Sequence, residues 1–190
     1  MRRPRHRRSY RHVTPSLQRL VDRLADVPVI VVDAAGELVA ANPLAAALMG
    51  DSSGFSRRER TLAWRHFTGQ PSRVVRDERE TEEAESTMVA ELHDALGHFP
   101  ADEHLSALIA DLMEASPRFA ELWRRHPVAR VHARRKTFAH PEVGTITVDC
   151  EALSVQGSDL QMIVYTAPAG SPDAAALELL ATIGLQSFPS

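Results

Sequence analysis

Histidine is the residue type in this sequence that most directly suggests chemistry, because nine of the 190 residues are histidines. The densest set is His93, His98 and His104, whose separations of five and six residues do not bring them onto one face of a helix. A structural zinc site usually fixes four ligands at tight spacing. The spacing therefore predicts no metal site, and His140, just before Pro141, is predicted to be a turn residue that hydrogen-bonds the backbone.

Catalysis would need a nucleophile, a base or paired carboxylates, and the pair considered is Asp149 and Glu151. The two residues share one face of a predicted strand whose opposite face carries Ile146, Val148 and Cys150, so both carboxylates are expected to point to water. The sequence contains neither a glycine-rich phosphate loop nor a Gly-x-Ser-x-Gly turn. The single cysteine excludes an internal disulfide and is predicted to be a buried, unreactive thiol. These patterns argue against an enzyme and imply no cofactor.

Binding of an amphiphile needs only an apolar cavity with a polar end. Each buried methylene contributes about 0.8 kcal/mol, so a chain of a dozen contributes roughly 10 kcal/mol before the costs of association. A carboxylate head group favours Arg or His, and the candidates are Arg124 and His126, with His66 and Arg135 as further options. The candidates for the cavity wall, each of which could instead be ordinary core, are Phe67, Met88, Leu92, Phe119, Trp123, Met162 and Val164.

The elements that must position these residues belong to a chain of ordinary globular composition. Hydrophobic residues make up 44% and charged residues 25% of the 190 residues, which predicts one domain with its own core. The longest strongly apolar run, Val27 to Ala35, is interrupted by Pro28 and Asp33, so no membrane-spanning helix is predicted. No signal peptide is recognised either, and a single cysteine fits a reducing cytoplasm.

Positive charge is concentrated at the N-terminus. Six of the 22 basic residues are arginines within residues 1–13, and no acidic residue precedes Asp22. Without these six, 16 basic residues face 25 acidic ones, so the rest of the chain is acidic. We expect residues 1–13 to be a disordered basic arm, which is a flexible tail or the end of a linker and could at most contact nucleic acid weakly and without sequence specificity. The acidic body is not expected to bind DNA.

Periodicity and turn residues predict the order of helices and strands. Thr14-Pro15 begins a helix that runs to about Asp26, with an apolar stripe at i, i+3, i+4 and i+7, and Asn42-Pro43 begins a short helix. Further helices are predicted at about 58–67, 81–96, after Asp102, from Ser116-Pro117 and at 172–183. Strands are predicted at about 29–33, 37–41, 130–138, 145–153 and 160–166.

This order predicts an α+β fold rather than alternating βαβ units. A strand pair, a helical insert and a three-strand meander form the layout of a PAS-like domain. We therefore expect a five-stranded antiparallel sheet, a helical insert covering one face, a pocket between the two, and flanking N- and C-terminal helices. The predicted domain spans residues 14–184, and residues 185–190 form a short tail.

A series of short motifs resembles the ligand-binding domain of MmyB-like transcription regulators, which belong to the XRE-type helix-turn-helix proteins. The resemblance covers about residues 14–183. The motifs stand in the family's order and are Pro15-Ser16-Leu17-Gln18-Arg19-Leu20, Asn42-Pro43-Leu44-Ala45, Ser116-Pro117 with Phe119, Leu122-Trp123-Arg124-Arg125-His126, Lys136 with Phe138, His140-Pro141-Glu142-Val143-Gly144, Glu151-Ala152-Leu153, and Tyr165-Thr166-Ala167 with Gly170-Ser171-Pro172.

The resemblance implies a cytoplasmic PAS-like sensor of a bacterial transcription regulator that binds a fatty-acid-like ligand. The chain departs from similar proteins at Ala41, where they carry an aromatic residue, and near Arg76 and Arg79, where they tend to have Tyr and Trp. Thirteen residues before Thr14 are too few for the family's helix-turn-helix, so the chain is expected to lack one. The alternatives are a dimerisation module that pairs through helix 14–26 without a small ligand and, more weakly, a small-molecule enzyme on a similar frame.

Overall fold

The computed structural model describes residues 12–127 and 135–186. The helices are α1 (Pro15–Arg23), α2 (Pro43–Met49), α3 (Leu62–Phe67), α4 (Glu78–His98), α5 (Glu103–Ala115), α6 (Pro117–Arg125) and α7 (Pro172–Gln186). The strands are β1 (Val29–Val32), β2 (Leu38–Ala41), β3 (Val74–Val75), β4 (Arg135–His140), β5 (Gly144–Ser154) and β6 (Gln161–Thr166). Most of the predicted arm, the end of the predicted tail and the predicted strand start at residue 130 lie outside the described residues.

Polar side chains begin three helices at the Xaa-Pro pairs where the sequence predicts them. The side chains of Thr14 and Ser116 each accept a hydrogen bond, 3.2 Å long, from the backbone N–H three residues further on, and Asn42 caps α2 in the same way. Helix α4 begins three residues before the predicted start at 81. Asp77 and Glu80 form a reciprocal capping box there, which satisfies backbone N–H groups that the helix itself leaves unpaired.

Among the described residues the sheet has six antiparallel strands in the order β2-β1-β6-β5-β4-β3, so the α+β class is confirmed and the prediction of five strands is wrong. The additional strand is β3, in which Val74 pairs with Phe138 and Val75 pairs with Thr137. Two residues are too few to show the alternation by which a strand is recognised in a sequence.

The two faces of the sheet are covered by different helices. One face, here called the α2–α7 face, packs against α2 and α7 and contains Ile30, Phe138, Ile146, Val148 and Tyr165. On the other face, Val29, Val31 and Met162 pack against Leu17 and Val21 of α1. Strand β1 contributes to both faces, and all four of its residues are buried.

Helices α3 to α6 enclose a second hydrophobic core, here called the helical core. Its buried residues are Ala63, Val89, Leu92, Ala95, Leu105, Leu108, Ile109, Leu112, Phe119 and Leu122. We expected the whole helical insert to cover one face of the sheet, and the structure corrects this. Among the insert helices, only α2 contributes buried residues to the α2–α7 face, because the apolar residues of α3 to α6 face one another.

Helix α1 packs on the sheet of its own chain. It ends at Arg23, three residues before the predicted end. Leu17 and Val21 are 8% and 0% exposed, whereas Leu20 of the same predicted stripe is 45% exposed. A homodimer through this helix stays a prediction, and within the helix it would have to use Leu20 rather than the two core residues.

Candidate functional site

The predicted cavity-lining residues lie in two separate places. Five belong to the helical core and its edge, namely Phe67, Met88, Leu92, Phe119 and Trp123. The other two, Met162 and Val164, lie under α1 on the sheet face that is opposite the α2–α7 face. The seven residues therefore do not surround one common space.

Aromatic rings of the helical core form a continuous chain of contacts. Phe67 meets Phe119 edge-to-face with centroids 5.1 Å apart, and Phe119 stacks on Trp123 at 5.6 Å. Trp123 stacks in turn on His93 of α4 at 3.6 Å, and the His93 Nε2 donates to the Trp123 carbonyl oxygen at 3.1 Å. Burial lowers the pKa of His93. Phe119 is fully buried, so these rings hold the helices together as packed core.

The predicted head-group residues make other contacts. Arg124 is exposed, and its Nε donates to the Ala120 carbonyl oxygen at 3.0 Å. His126 is also exposed and ends α6 in the left-handed conformation, with φ at 47°, and its ring lies 4.2 Å from that of His93. Of the further options, Arg135 pairs with Asp149 at 3.3 Å on the outside of the sheet.

His66, the last head-group option, belongs to an ionic network with Glu85 of α4. Glu85 is 9% exposed. Its carboxylate accepts hydrogen bonds from His66 Nε2 at 3.2 Å and from Arg118 Nε at 2.7 Å. The bond to Glu85 raises the pKa of Arg118. This network joins α3, α4 and α6, so its geometry is that of a structural link between helices.

A charged side chain that the sequence analysis did not select lies on the α2–α7 face. Lys136, the only lysine in the chain, occupies β4 two residues before the fully buried Phe138, and both side chains are therefore on the same face. Its Nζ lies 5.5 Å from the centre of the Tyr165 ring, which itself meets Phe138 edge-to-face at 5.9 Å. Cys150 is paired with Tyr165 across the sheet. The ammonium group is thus half-buried among aromatic rings.

Arg76 lies beside Lys136. Because Val75 pairs with Thr137 in an antiparallel register, the next residue of the chain, Arg76, falls opposite Lys136. Burial lowers the pKa of both cations and raises the pKa of Tyr165 and Cys150. Within residues 12–127 and 135–186, neither cation makes a hydrogen bond or an ion pair.

One signal in the sequence could have identified this place. Lys136 and Phe138 alternate in a segment that also reads as a strand, and a lone lysine on the apolar side of a strand is unusual. The alternation is poor over the predicted range 130–138, of which the structure describes only Arg135 onwards. Arg76 carried no such signal, because β3 itself was not predicted.

The predictions for His140 and for the pair Asp149 and Glu151 can be compared with the contacts and exposure of these residues. His140 hydrogen-bonds the backbone, as predicted, but it is the last residue of β4 rather than part of the turn. Its Nε2 donates to the Ala47 carbonyl oxygen at 3.0 Å and its Nδ1 accepts from Glu142 N at 3.2 Å. Burial is the main cause that lowers the pKa of His140. Glu151 is exposed and Asp149 lies partly exposed on the same face, as expected of carboxylates that point to water.

An open cleft of about 430 Å³ runs along the edge strand β2. It is lined by Glu37, Leu38, Val39, Ala40, Ala41, Ser52, Ser53 and Arg60, and it includes none of the predicted site residues. Glu37 anchors this edge through Arg57 at 2.7 Å and Arg60 at 3.5 Å.

Within the part of the chain that the structure describes, no group of three or more His, Cys, Asp or Glu side chains is arranged to hold a metal ion. None of the helices described combines the length and the apolar character needed to cross a bilayer.

Comparison with known proteins gives one informative match. No curated protein shows significant similarity to the chain. The model of one protein family, described as the MmyB-like transcription regulator ligand binding domain, matches residues 13–180, which include every strand and nearly all of the helical residues. The chain therefore belongs to the family of MmyB-like transcription regulator ligand-binding domains, as the order of its sequence motifs predicted.

Proposed function

We propose that this domain is the sensor of a transcription regulator and that its ligand is a fatty-acid-like amphiphile. The observation that carries the proposal is the match of residues 13–180 to a ligand-binding domain of transcription regulators. The order of elements supports it, since β1 and β2, a helical insert and the β4–β5–β6 meander follow one another as in a PAS-like domain. Strand β3 is then an addition at the edge of the sheet.

The tail of the ligand would occupy the boundary between the helical core and the sheet. Phe67, Met88 and Trp123 are only partly buried against the helical core, so they can exchange protein neighbours for ligand at lower cost than fully buried residues. Each methylene covered contributes about 0.8 kcal/mol, from which the ordering of a flexible chain must be subtracted. Leu92 and Phe119 are buried completely and are better regarded as fixed core.

Ligand binding would act by shifting a population between two packings of the helical core on the sheet. The buried residues of the helical core all belong to α3 to α6, and none is shared with the α2–α7 face, so we expect this core to shift as a unit. To change such an equilibrium from 1:99 to 99:1, the ligand must bind one packing about 5.5 kcal/mol more tightly than the other. A DNA-binding module attached through α1 would respond to the change between the two packings.

Native mass spectrometry of the gently purified chain tests this function. We expect a second mass peak, heavier than the protein by the mass of one lipid molecule, which disappears after extraction with organic solvent. The extracted protein should then take up dodecanoate with micromolar affinity. The proposal is wrong if the purified chain carries no lipid and the extracted chain binds neither dodecanoate nor hexadecanoate.

A homodimer that needs no ligand is the second candidate function. Leu20 of α1 is 45% exposed beside a sheet face that also leaves Leu153 49% exposed. Light scattering at micromolar concentration tests the idea with the variant Leu20→Glu, because this position is outside the core. A dimer that becomes a folded monomer in the variant supports it, and a wild-type chain that is already monomeric excludes it.

A further inference from the structure

Two cations lie side by side at one end of the α2–α7 face, in a setting that usually excludes charge. Lys136 Nζ lies 5.5 Å from the Tyr165 ring centre, and Tyr165 is only 1% exposed. Arg76 follows β3 directly and faces Lys136 across the strand pair. Neighbouring strand positions carry the fully buried Phe138 and Val148, so the two charges border an apolar surface.

The acidic groups near this pair do not balance it. Glu80 is the carboxylate that acts most strongly on Arg76. The same carboxylate accepts a hydrogen bond from the backbone N–H of Asp77 at 3.0 Å, as part of the α4 cap. Cys150 and Glu91 of α4 also act on Lys136, but within residues 12–127 and 135–186 no carboxylate forms an ion pair with Lys136 or Arg76. Burial is the dominant influence on both cations, and it lowers the pKa of each. A half-buried charge that lacks full compensation is costly unless an anion completes the site.

We propose that Arg76 and Lys136 form the binding site for the oxyanion head group of the ligand, with its apolar tail directed toward the boundary between the sheet and the helical core. An arginine can hold a carboxylate or phosphate through two parallel hydrogen bonds, and a lysine adds a compact point charge. This site replaces Arg124 and His126 as the head-group candidates, since those two residues are exposed at the end of α6. This assignment rests on the function proposed above, and it identifies the head group that the site binds as a carboxylate or another oxyanion.

Titration calorimetry with lipid-extracted protein tests this assignment. Dodecanoate and dodecan-1-ol share the same tail and differ in the charge of the head group, and acetate supplies the anion without the tail. We expect Lys136→Met and Arg76→Met each to raise the Kd of dodecanoate at least tenfold, a change of about 1.4 kcal/mol, and to leave the Kd of dodecan-1-ol unchanged. Acetate alone should bind too weakly to measure.

Two matched variants control for a general loss of positive charge. Arg79→Met removes an exposed arginine three residues from Arg76, and Arg135→Met removes the exposed neighbour of Lys136. Both should bind dodecanoate as the wild type does. Circular dichroism melts of all four variants show whether each one is folded at the temperature of the titration.

The single lysine allows a second, independent measurement. Reductive methylation with ¹³C-formaldehyde labels Lys136 and the N-terminal amine only, so the lysine gives its own NMR signal. Saturating dodecanoate should raise the apparent pKa of this amine, and dodecan-1-ol should not.

The outcomes separate the two proposals. If the wild type binds both amphiphiles and neither Met variant weakens dodecanoate selectively, the head-group site is wrong and the sensor function stands. If the wild type binds no amphiphile at all, both are wrong. If acetate binds as tightly as dodecanoate, the site takes small anions and the assignment to an amphiphile head group fails.

Discussion

Asn42, the only asparagine in the chain, offers a sharp test of how the sheet and two helices are joined. It is fully buried, and its side-chain oxygen accepts from Val29 N at 3.1 Å and from Ala45 N at 2.8 Å. Its amide nitrogen donates to the carbonyl oxygens of Leu24 at 2.6 Å and Val27 at 2.7 Å. One side chain thus satisfies the end of α1, the beginning of β1 and the beginning of α2.

The substitution Asn42→Ala removes all four hydrogen bonds. The lost N-cap alone costs about 1 kcal/mol. The buried N–H of Val29 then lacks its side-chain acceptor, which costs about 1–3 kcal/mol, and two carbonyl oxygens lose a donor. We therefore expect the free energy of unfolding to fall by about 3–5 kcal/mol and the Tm to fall by roughly 10 °C.

Urea unfolding followed by circular dichroism measures this change, with two comparison variants. Thr14→Ala removes one exposed N-cap of the same kind and should cost only about 1 kcal/mol. Asn42→Asp keeps the cap oxygen but brings a charged oxygen against the carbonyls of Leu24 and Val27, so it should destabilise at least as much as Asn42→Ala. The reasoning is refuted if Asn42→Ala costs no more than Thr14→Ala, or if Asn42→Asp is tolerated.

Three further predictions concern contacts of the described residues, and a fourth concerns the arginines of residues 1–13. Glu85→Ala should lower the free energy of unfolding by about 2–3 kcal/mol in urea titrations, because Arg118 and His66 lose their shared carboxylate, and a change under 0.5 kcal/mol would contradict this. Trp123→Ala should cost about 2–3 kcal/mol, since the ring is half-buried, and dodecanoate affinity measured on the folded variant tells whether Trp123 also contacts ligand. His140 has a lowered pKa in the folded state, so its contribution is complete above the unfolded value near 6.5 and is lost as pH falls; His140→Gln should flatten the decrease in Tm between pH 7.5 and 5, and an unchanged slope would show that other groups cause it. The full chain should bind DNA only weakly, with an affinity that falls steeply with salt and disappears when residues 1–13 are deleted; tight binding to one sequence at physiological salt would overturn this.

The sequence predicted best those features that depend on neighbouring residues. The Thr14, Asn42 and Ser116 caps were recognisable because a capping side chain and a proline next to it act within one turn of helix. Strand β3 was missed because its two residues form a strand only through their partner β4. The helix predicted from about residue 58 begins at Leu62 because the preceding residues form a turn instead.

The site could not be predicted in the same way, because it depends on which apolar faces meet. Phe119, Trp123 and Met162 were all correctly expected to point inward, yet the first two belong to the helical core and the third lies under α1. Sequence periodicity indicates that a side chain is buried, but it does not indicate which other side chains it packs against. Lys136 was not selected as a site residue, since a charged residue in a strand indicates an exposed position unless the register of its neighbours is known.

The pairing of β1 with β6 has a consequence for how the protein folds during synthesis. Val29 pairs with Val164, so most of the chain lies between two strands that must meet before the sheet can close. The helical core is built from residues much closer together in sequence, and we expect it to form earlier. Until β6 emerges from the ribosome, β1 has only β2 to pair with and exposes an apolar edge. A nascent or truncated chain that ends before β6 is therefore expected to aggregate or to be degraded, even though its helical core is already assembled.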